Sequence, residues 1–156
     1  MVKLKRDAEI ALTPDEIALA EHIGQLRDQQ YQGKHKPGLC NGRDGTLGVL
    51  GELAFCKLIN AYPLALDVTE CGPVDALWGK YRIDVKTKSH NDPELWVYPG
   101  SANRGGVDGY VLMNTLDGQN FTYKGRVSHT AVLDKPTEQR PGCTPAHIFK
   151  VLELIE

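Results

Sequence analysis

The sequence lacks the features that would place it in a membrane or in an oxidising compartment. No stretch approaches about 18 consecutive apolar residues, and the basic start of the chain runs into acidic residues without the apolar segment of a signal peptide. Its four cysteines are widely spaced and form no Cys-x-x-Cys pair, so they predict neither a disulfide framework nor a zinc site. We therefore expect reduced thiols, a cytoplasmic location and no membrane partner.

An excess of charge of one sign is also lacking. Eighteen basic residues against 20 acidic residues give a formal net charge of −2. A nucleic-acid contact would therefore have to come from a local basic patch, because bulk attraction is absent. With 156 residues the chain fits one domain covering residues 1–156, large enough to bury roughly 70% of its unfolded surface.

Three helices and several short strands are predicted along the chain. Thr13 and Pro14 supply an N-cap and a proline at the first helical position, which predicts a helix over 14–30. Apolar residues at steps of three and four predict a second helix over 46–62. Extended segments are predicted at 66–68, 95–98, 110–113, 121–124 and 147–152, with a short helix at 128–133. The fold class is α/β, with a mixed central β-sheet flanked by α-helices.

A hairpin with a Gly79-Lys80 turn carries the residues with the clearest chemical potential. Gly-X is the preferred chemistry of a type II′ turn, and the resulting register places Asp75 opposite Asp84, about 5 Å apart at their Cβ atoms. Two unit charges at that distance repel by about 3 kcal/mol at an effective dielectric of about 20. Lys86 follows on the same strand face. We therefore expect a divalent cation, Mg²⁺ or Mn²⁺, between the two carboxylates, with Lys86 beside it.

Ordinary structural roles also account for these residues when each is taken alone. An Asp-x-Lys strand is commonly the polar side of a half-exposed sheet, with Asp75 and Lys86 as a cross-strand ion pair worth less than about 1 kcal/mol. Glu52 lies at the margin of the apolar stripe of the second helix, beside Ile59, when residues are placed at intervals of about 100°. An exposed helix glutamate is the commoner arrangement for such a residue.

The combination of these elements resembles the PD-(D/E)XK nuclease superfamily, particularly its small phage and bacterial members. Pro73-Val74-Asp75 matches the proline–aspartate element with one inserted residue, and Asp84-Val85-Lys86 matches the acid-x-lysine element. Glu52 follows a Gly-x-x-Gly pattern, as the glutamate of the preceding helix does in that superfamily. The resemblance covers roughly residues 45–113. It departs in using aspartate at 84, where many members have glutamate, and in having little room for a crossover helix after the third core strand.

The resemblance implies a restriction-endonuclease-like core and a metal-dependent deoxyribonuclease, with endonuclease as the expected type. Asp75, Asp84 and the Val85 carbonyl would bind Mg²⁺ or Mn²⁺, and Glu52 would complete the ligand set or help to hold a second ion. Lys86 would orient or deprotonate the attacking water. Two alternatives stay open: a non-catalytic DNA-binding or interaction module on the same fold, and a junction-specific resolvase, which a homodimer would favour.

Further residues are candidates for contact with a nucleic acid. The segment 33–45 combines four glycines with basic residues and has the composition of a basic loop. The cations expected to contact phosphates are Lys34, Lys36, Arg43, Lys88 and Arg104. The aromatic residues that could stack on bases are Trp78, Tyr81, Trp96 and Tyr98, although aromatic residues at strand spacing more often pack in the core.

Overall fold

The computed structural model describes residues 2–31, 44–64 and 74–156. The helices are α1 (Pro14–Tyr31), α2 (Asp44–Leu58), α3 (Pro99–Arg104) and α4 (His129–Asp134). The strands are β1 (Glu9–Ala11), β2 (Ala76–Trp78), β3 (Tyr81–Lys88), β4 (Glu94–Val97), β5 (Gly109–Asn114), β6 (Asn120–Ser128) and β7 (His147–Lys150), and a 3-10 helix, Val151–Glu153, follows β7. None of the described helices combines the length and the apolar character needed to span a bilayer.

Five of the strands form a mixed sheet in the order β1-β6-β5-β3-β2. β3 and β5 are parallel, and the other neighbouring pairs are antiparallel. β4 and β7 form a separate two-stranded antiparallel sheet. The predicted α/β class with a mixed sheet is therefore confirmed.

Helices and the small sheet cover the two faces of the central sheet. On one face, α1 and α2 pack on alternating residues of β3, β5 and β6, including Val85, Val111 and Tyr123. On the other face, residues of β4, β7, α3 and α4 pack on Tyr110 and Leu112 of β5. All six residues of β5 are buried, as expected of a strand covered on both faces.

Local signals explain the ends of the first two helices. Thr13 and Glu16 form a reciprocal cap at the start of α1, since each side chain accepts a hydrogen bond from the backbone N–H of the other, at 3.2 and 2.6 Å. α2 ends at Leu58, four residues before the predicted end. Asn60 adopts a left-handed φ of 54°, and the N–H groups of residues 60 and 61 bond back to the carbonyls of residues 57 and 56. This pattern closes the helix.

Three strands differ from the sequence-based expectation. β1 is not predicted, because three residues are too few to show an alternating pattern. β4 matches the predicted strand but lies outside the central sheet, and β7 is followed by the 3-10 helix where the prediction continued the strand. The connection from β3 to the parallel strand β5 passes through β4 and the six-residue α3, so a full-length crossover helix is indeed missing from this connection.

A close approach of α2 to β3 depends on Gly51. A Cβ atom at Gly51 would lie 1.8 Å from Oγ1 of Thr87, whereas a Cβ at Gly48, one turn earlier, would meet only Oε1 of Glu52 at 3.9 Å. Gly51 therefore sets the distance between helix and sheet and, with it, the position of the neighbouring Glu52.

We predict that Gly51→Ala destabilises the protein by about 1–3 kcal/mol, because the added methyl group overpacks the helix–sheet contact. Gly48→Ala is the matched control and should be neutral or stabilising by up to about 1 kcal/mol, since alanine favours the helix. Urea unfolding of both variants in EDTA measures the two free energies. Equal effects of the two substitutions would contradict the close contact.

Candidate metal and catalytic site

The β2–β3 hairpin has the predicted turn and register. The pairs are Ala76 with Ile83, 77 with 82, and 78 with 81, which leaves a two-residue turn. Gly79 has a φ of 62°, as the first position of a type II′ turn requires, and Lys80 does not share this left-handed conformation. The turn chemistry therefore fixes which residues of β3 face the start of β2.

Asp75 lies immediately before β2, at the edge of β3. Its backbone N–H donates to the Ile83 carbonyl at 2.9 Å, and its carboxylate Oδ2 accepts from the Val85 N–H at 2.7 Å. The registered pairs end with Ala76 and Ile83, one step before the predicted pairing of Asp75 with Asp84. Because the N–H and C=O of one strand residue point to the same side, the Val85 carbonyl also points toward this edge.

Asp84 and Lys86 lie on the face of β3 opposite α2, as the alternation predicts. Ile83 and Val85 belong to the core beneath α2, whereas Asp84 is only 7% exposed on the other face. Lys86 Nζ lies 2.6 Å from Oδ1 and 2.8 Å from Oδ2 of Asp84. The lysine thus pairs with the aspartate on its own strand, and the alternative cross-strand pair of Asp75 with Lys86 is not formed.

Glu52 is buried and paired with Arg27 of α1. The residue is 5% exposed, and its two carboxylate oxygens accept from the two terminal nitrogens of Arg27 at 2.9 and 3.0 Å. Glu52 therefore does not occupy the exposed position that is commonest for a helix glutamate. Arg27 was missed by the sequence analysis, although it follows the buried Ala20 and Ile23 at helical spacing. A cation on a buried stripe requires a carboxylate partner.

Glu52, Asp84 and Lys86 lie within electrostatic range of Asp75 at this edge of the sheet; we call these four residues the edge cluster. Burial, the charge of Glu52 and the charge of Asp84, in that order, raise the pKa of Asp75 well above its ordinary value. The Val85 N–H and the charge of Lys86 oppose this rise. Among the described residues no cation forms an ion pair with Asp75, whereas Glu52 and Asp84 each have one. Asp75 is therefore the least compensated acid of the cluster.

The raised pKa of Asp75 makes a stability prediction with a defined sign. An unfolded aspartate ionises near pH 3.9, so the contribution of Asp75 is fully present below about pH 4 and is lost as the pH rises through its folded pKa. Asp75→Asn cannot ionise. In EDTA, its free energy of unfolding relative to wild type should therefore increase as the pH is raised from about 4 to 7.

Asp108→Asn is the control for this measurement and should show no such increase, because the stability from a lowered pKa is present above about pH 4 and is lost only at lower pH. Hydrogen bonds from Arg82 hold the pKa of Asp108 below its usual value, so its ionised form favours the folded state as the pH rises. Urea unfolding at three pH values compares both variants with wild type. A pH-independent difference between Asp75→Asn and wild type would contradict the raised pKa.

Tyr110 of β5 lines the same face of the sheet as Asp84, because the two residues are partners in the parallel register. Burial, and then the charge of Asp84, raise the pKa of Tyr110 to about 12, and the charge of Arg104 opposes them. The Tyr110 hydroxyl also lies 3.3 Å from Nδ1 of His129, the first residue of α4. The sequence places Tyr110 only in a buried strand, since the register between distant strands leaves no local signal.

The edge cluster offers hard oxygen ligands but not a completed metal cage. Over residues 2–31, 44–64 and 74–156, no group of three or more His, Cys, Asp or Glu side chains is arranged to hold a metal ion. Glu52 is engaged by Arg27, which leaves Asp75, Asp84 and the Val85 carbonyl at the edge. This donor set suits Mg²⁺ or Mn²⁺, and the uncompensated charge of Asp75 favours a cation there. The assignment of Glu52 as a ligand stays a prediction.

The predicted phosphate contacts divide into two groups. Lys34, Lys36 and Arg43 lie outside the described residues. Lys88 ends β3, with its ammonium 5.1 Å from the ring centroid of Trp96, and Arg104 is the exposed last residue of α3.

The structure distinguishes the two tryptophans. Trp78 is 4% exposed in the core beneath α2, packs edge-on against Phe55, and donates from Nε1 to the Val2 carbonyl at 2.9 Å. Trp96 is half-buried on β4, with two cations over its ring. Core packing is therefore the role of Trp78, whereas contact of Trp96 with a base stays a prediction.

A comparison with models of known protein families and with curated proteins finds no match to this chain.

Proposed function

We propose that this protein is a metal-dependent nuclease that hydrolyses phosphodiester bonds of DNA. The observation that carries the proposal is the edge cluster: Asp75, without an ion-pair partner among the described residues, lies within electrostatic range of two further acids and of Lys86. Such a concentration of negative charge costs stability unless a cation binds. Two carboxylates and a backbone carbonyl can hold the metal, and a lysine beside them can act on the water, which together suit metal-assisted phosphodiester hydrolysis.

The chain's own residues would have distinct tasks in this reaction. Asp75, Asp84 and the Val85 carbonyl would hold Mg²⁺ or Mn²⁺, with Glu52 beside them. The bound metal would polarise the phosphate and lower the pKa of the attacking water. Lys86, held against Asp84, would orient that water, or would accept its proton after first passing one of its own protons to solvent.

The finer parts of the proposal rest on the sequence resemblance. They are a restriction-endonuclease-like core, endonucleolytic cleavage, and membership of the PD-(D/E)XK superfamily. The parallel β3–β5 pair beside the hairpin and the buried glutamate on α2 are compatible with that core. A homodimer acting on branched DNA belongs to the same chemistry and differs in substrate.

Cleavage assays with defined substrates test the proposal. The purified protein is incubated with labelled single-stranded, duplex, flapped and four-way-junction DNA, with Mg²⁺ or Mn²⁺ and with EDTA. We expect cleavage that requires the metal. Cleavage that survives EDTA would exclude the mechanism, and binding without cleavage of any substrate would favour the non-catalytic module. Cutting of the junction alone would identify a resolvase.

We predict that Lys86→Ala lowers turnover by at least about a hundredfold while the Kd for DNA changes less than about threefold. The lysine acts at the reacting group, and one cation adds little to a contact surface spread over several phosphates. Single-turnover cleavage and fluorescence anisotropy in EDTA measure the two quantities separately. Lys124→Ala is the control, since it removes the ion pair that Lys124 of β6 forms with Asp7. A loss confined to affinity would assign Lys86 to binding alone.

A further inference from the structure

We propose that Lys88, Trp96 and Arg140 form a binding track for a single-stranded segment of nucleic acid, in which Trp96 stacks on an unpaired base. We call these three residues the tryptophan track. The inference names the substrate class of the proposed nuclease and rests on that function for its biological meaning. Its test uses binding without cleavage, so the two proposals can fail separately.

The tryptophan track continues directly from the edge cluster. Asp84, Lys86 and Lys88 alternate along one face of β3, because side chains two residues apart share a face. Four residues of strand cover about 13 Å, a distance that a short single-stranded segment spans. The Lys88 ammonium lies 5.1 Å from the centroid of the Trp96 ring, so the end of this row meets the tryptophan.

Trp96 lies outside the apolar core of the small sheet. Its strand neighbours Leu95 and Val97 are completely buried, whereas Trp96 is half-buried and alternates with them. Two cationic groups lie over its ring: the Lys88 ammonium, and the Arg140 guanidinium with Cζ 5.2 Å from the centroid. The Lys88 side chain can move from the ring to a phosphate, as a long polar side chain can and an aliphatic core residue cannot. A base would then stack on the part of the Trp96 ring that Lys88 leaves, with Arg140 still bound to Glu94.

Glu94 holds the Trp96 ring and the Arg140 guanidinium in fixed positions. Its carboxylate accepts from Nε1 of Trp96 at 3.2 Å and from the Arg140 guanidinium at 2.8 and 3.0 Å. Burial opposes ionisation of Glu94, but the hydrogen bonds from Arg140 and Trp96 bring its pKa below the usual value. Ring and guanidinium are thus held in place before a ligand arrives, which reduces the entropy lost on binding.

These features favour a single strand over a duplex. An aromatic ring can stack on the face of an unpaired base, whereas the bases of a duplex are already stacked on each other. Arginine guanidinium groups stack on bases in the same way, and lysine contacts the phosphates as a point charge. The tryptophan track supplies all three types of contact around one ring.

Tryptophan fluorescence tests the proposal, because the chain has only two tryptophans and one is in the core. The full chain in EDTA is titrated with oligothymidylate of about 12 nucleotides and with a duplex of about the same length. We expect the single strand to quench the emission of wild type and of Trp78→Phe, which keeps Trp96. Trp96→Phe, which keeps Trp78, should show no quenching. If Trp78→Phe fails to fold, wild type against Trp96→Phe gives the same comparison.

Affinity and its salt dependence separate the contributions of the track. Trp96→Leu should weaken single-strand binding roughly 5- to 100-fold, in line with the loss of one stacked base. Lys88→Ala should lower the slope of log affinity against log salt by about 0.7, the effect of one phosphate contact on a single strand. Lys80 and Tyr81 form a similar cation–aromatic pair at the other end of β3. Lys80→Ala is therefore the matched control for Lys88→Ala and should change neither quantity.

The outcomes distinguish the two proposals. Binding of the single strand with unquenched Trp96 would overturn the track, as would stronger quenching by the duplex or unchanged affinity of Trp96→Leu. Absence of any nucleic-acid binding would overturn it as well. A wild-type protein that is quenched by the single strand but cleaves no substrate with Mg²⁺ or Mn²⁺ would support the track and contradict the nuclease.

Discussion

Asp84→Asn is expected to abolish metal-dependent cleavage and to weaken Mn²⁺ binding by at least about tenfold. The substitution keeps the shape of the side chain and removes the charge of one of the two carboxylates proposed to hold the ion. Hard divalent cations bind anionic oxygen far better than a neutral amide. Isothermal calorimetry with Mn²⁺ and the cleavage assay measure the two losses.

The same variant should keep nearly all of its stability without metal. The loss of the ion pair with Lys86 is offset by relief of the repulsion between Asp84 and Asp75. Lys86 retains about 29% of its side-chain exposure and can be hydrated. We therefore expect a change in the free energy of unfolding within about 1 kcal/mol.

Asp108→Asn is a suitable control, since Asp108 pairs with the exposed Arg82 near the start of β3, away from the edge cluster. It should leave Mn²⁺ binding unchanged. Normal Mn²⁺ binding by Asp84→Asn would contradict the metal assignment. A loss of several degrees in Tm, together with normal metal binding, would make Asp84 a structural ion-pair residue.

The parts of the site that depend on neighbouring residues in the chain could be predicted from the sequence. Gly79 specifies the turn, and the turn sets the register of β2 against β3. The alternation along β3 then separates Ile83 and Val85 from Asp84 and Lys86. These are local rules, which a single sequence contains in full.

The side chain of Asp75 is the exception within the hairpin. The sequence analysis extends the ladder by one pair and places Asp75 opposite Asp84. In the structure the carboxylate of Asp75 bonds to the Val85 N–H, at the position where a further strand residue would pair. A short polar side chain that replaces a backbone partner is a common local alternative to the ladder, and strand periodicity does not reveal it.

Contacts between distant segments were the least predictable. Arg27 and Glu52 are 25 residues apart on separate helices, and only the crossing of α1 and α2 brings them together. Asp84 and Tyr110 are neighbours because β3 pairs in parallel with β5, and β4 and α3 separate these two strands in the sequence. Helical spacing marks Arg27 as a cation on the buried side of α1 but cannot identify its partner, because several carboxylates occur along the chain.

Arg27→Met is expected to cost about 3 kcal/mol of stability, one of the largest effects of any single substitution considered. The side chain of Glu52 is only 7% exposed, and its two oxygens depend on the Arg27 guanidinium. Removing one member of such a pair leaves a buried charge without compensation. For a protein of this size the loss corresponds to a decrease in Tm of roughly 6–12 °C.

The double variant Arg27→Met with Glu52→Gln is the matched control, and it should recover most of the lost stability because no buried charge remains. Arg27→Lys should give an intermediate loss, since lysine keeps the charge but lacks the planar fork that engages both oxygens. Thermal unfolding in EDTA compares the four proteins. If the single and double variants lose the same stability, the effect of Arg27 comes from its packing and the ion pair with Glu52 contributes little.

Repeating the thermal scans with Mn²⁺ extends the test to the metal site. In Arg27→Met the freed carboxylate of Glu52 can join Asp75 and Asp84, so the metal should raise the Tm of this variant more than that of wild type. An equal rise in both proteins would mean that Glu52 does not bind the ion.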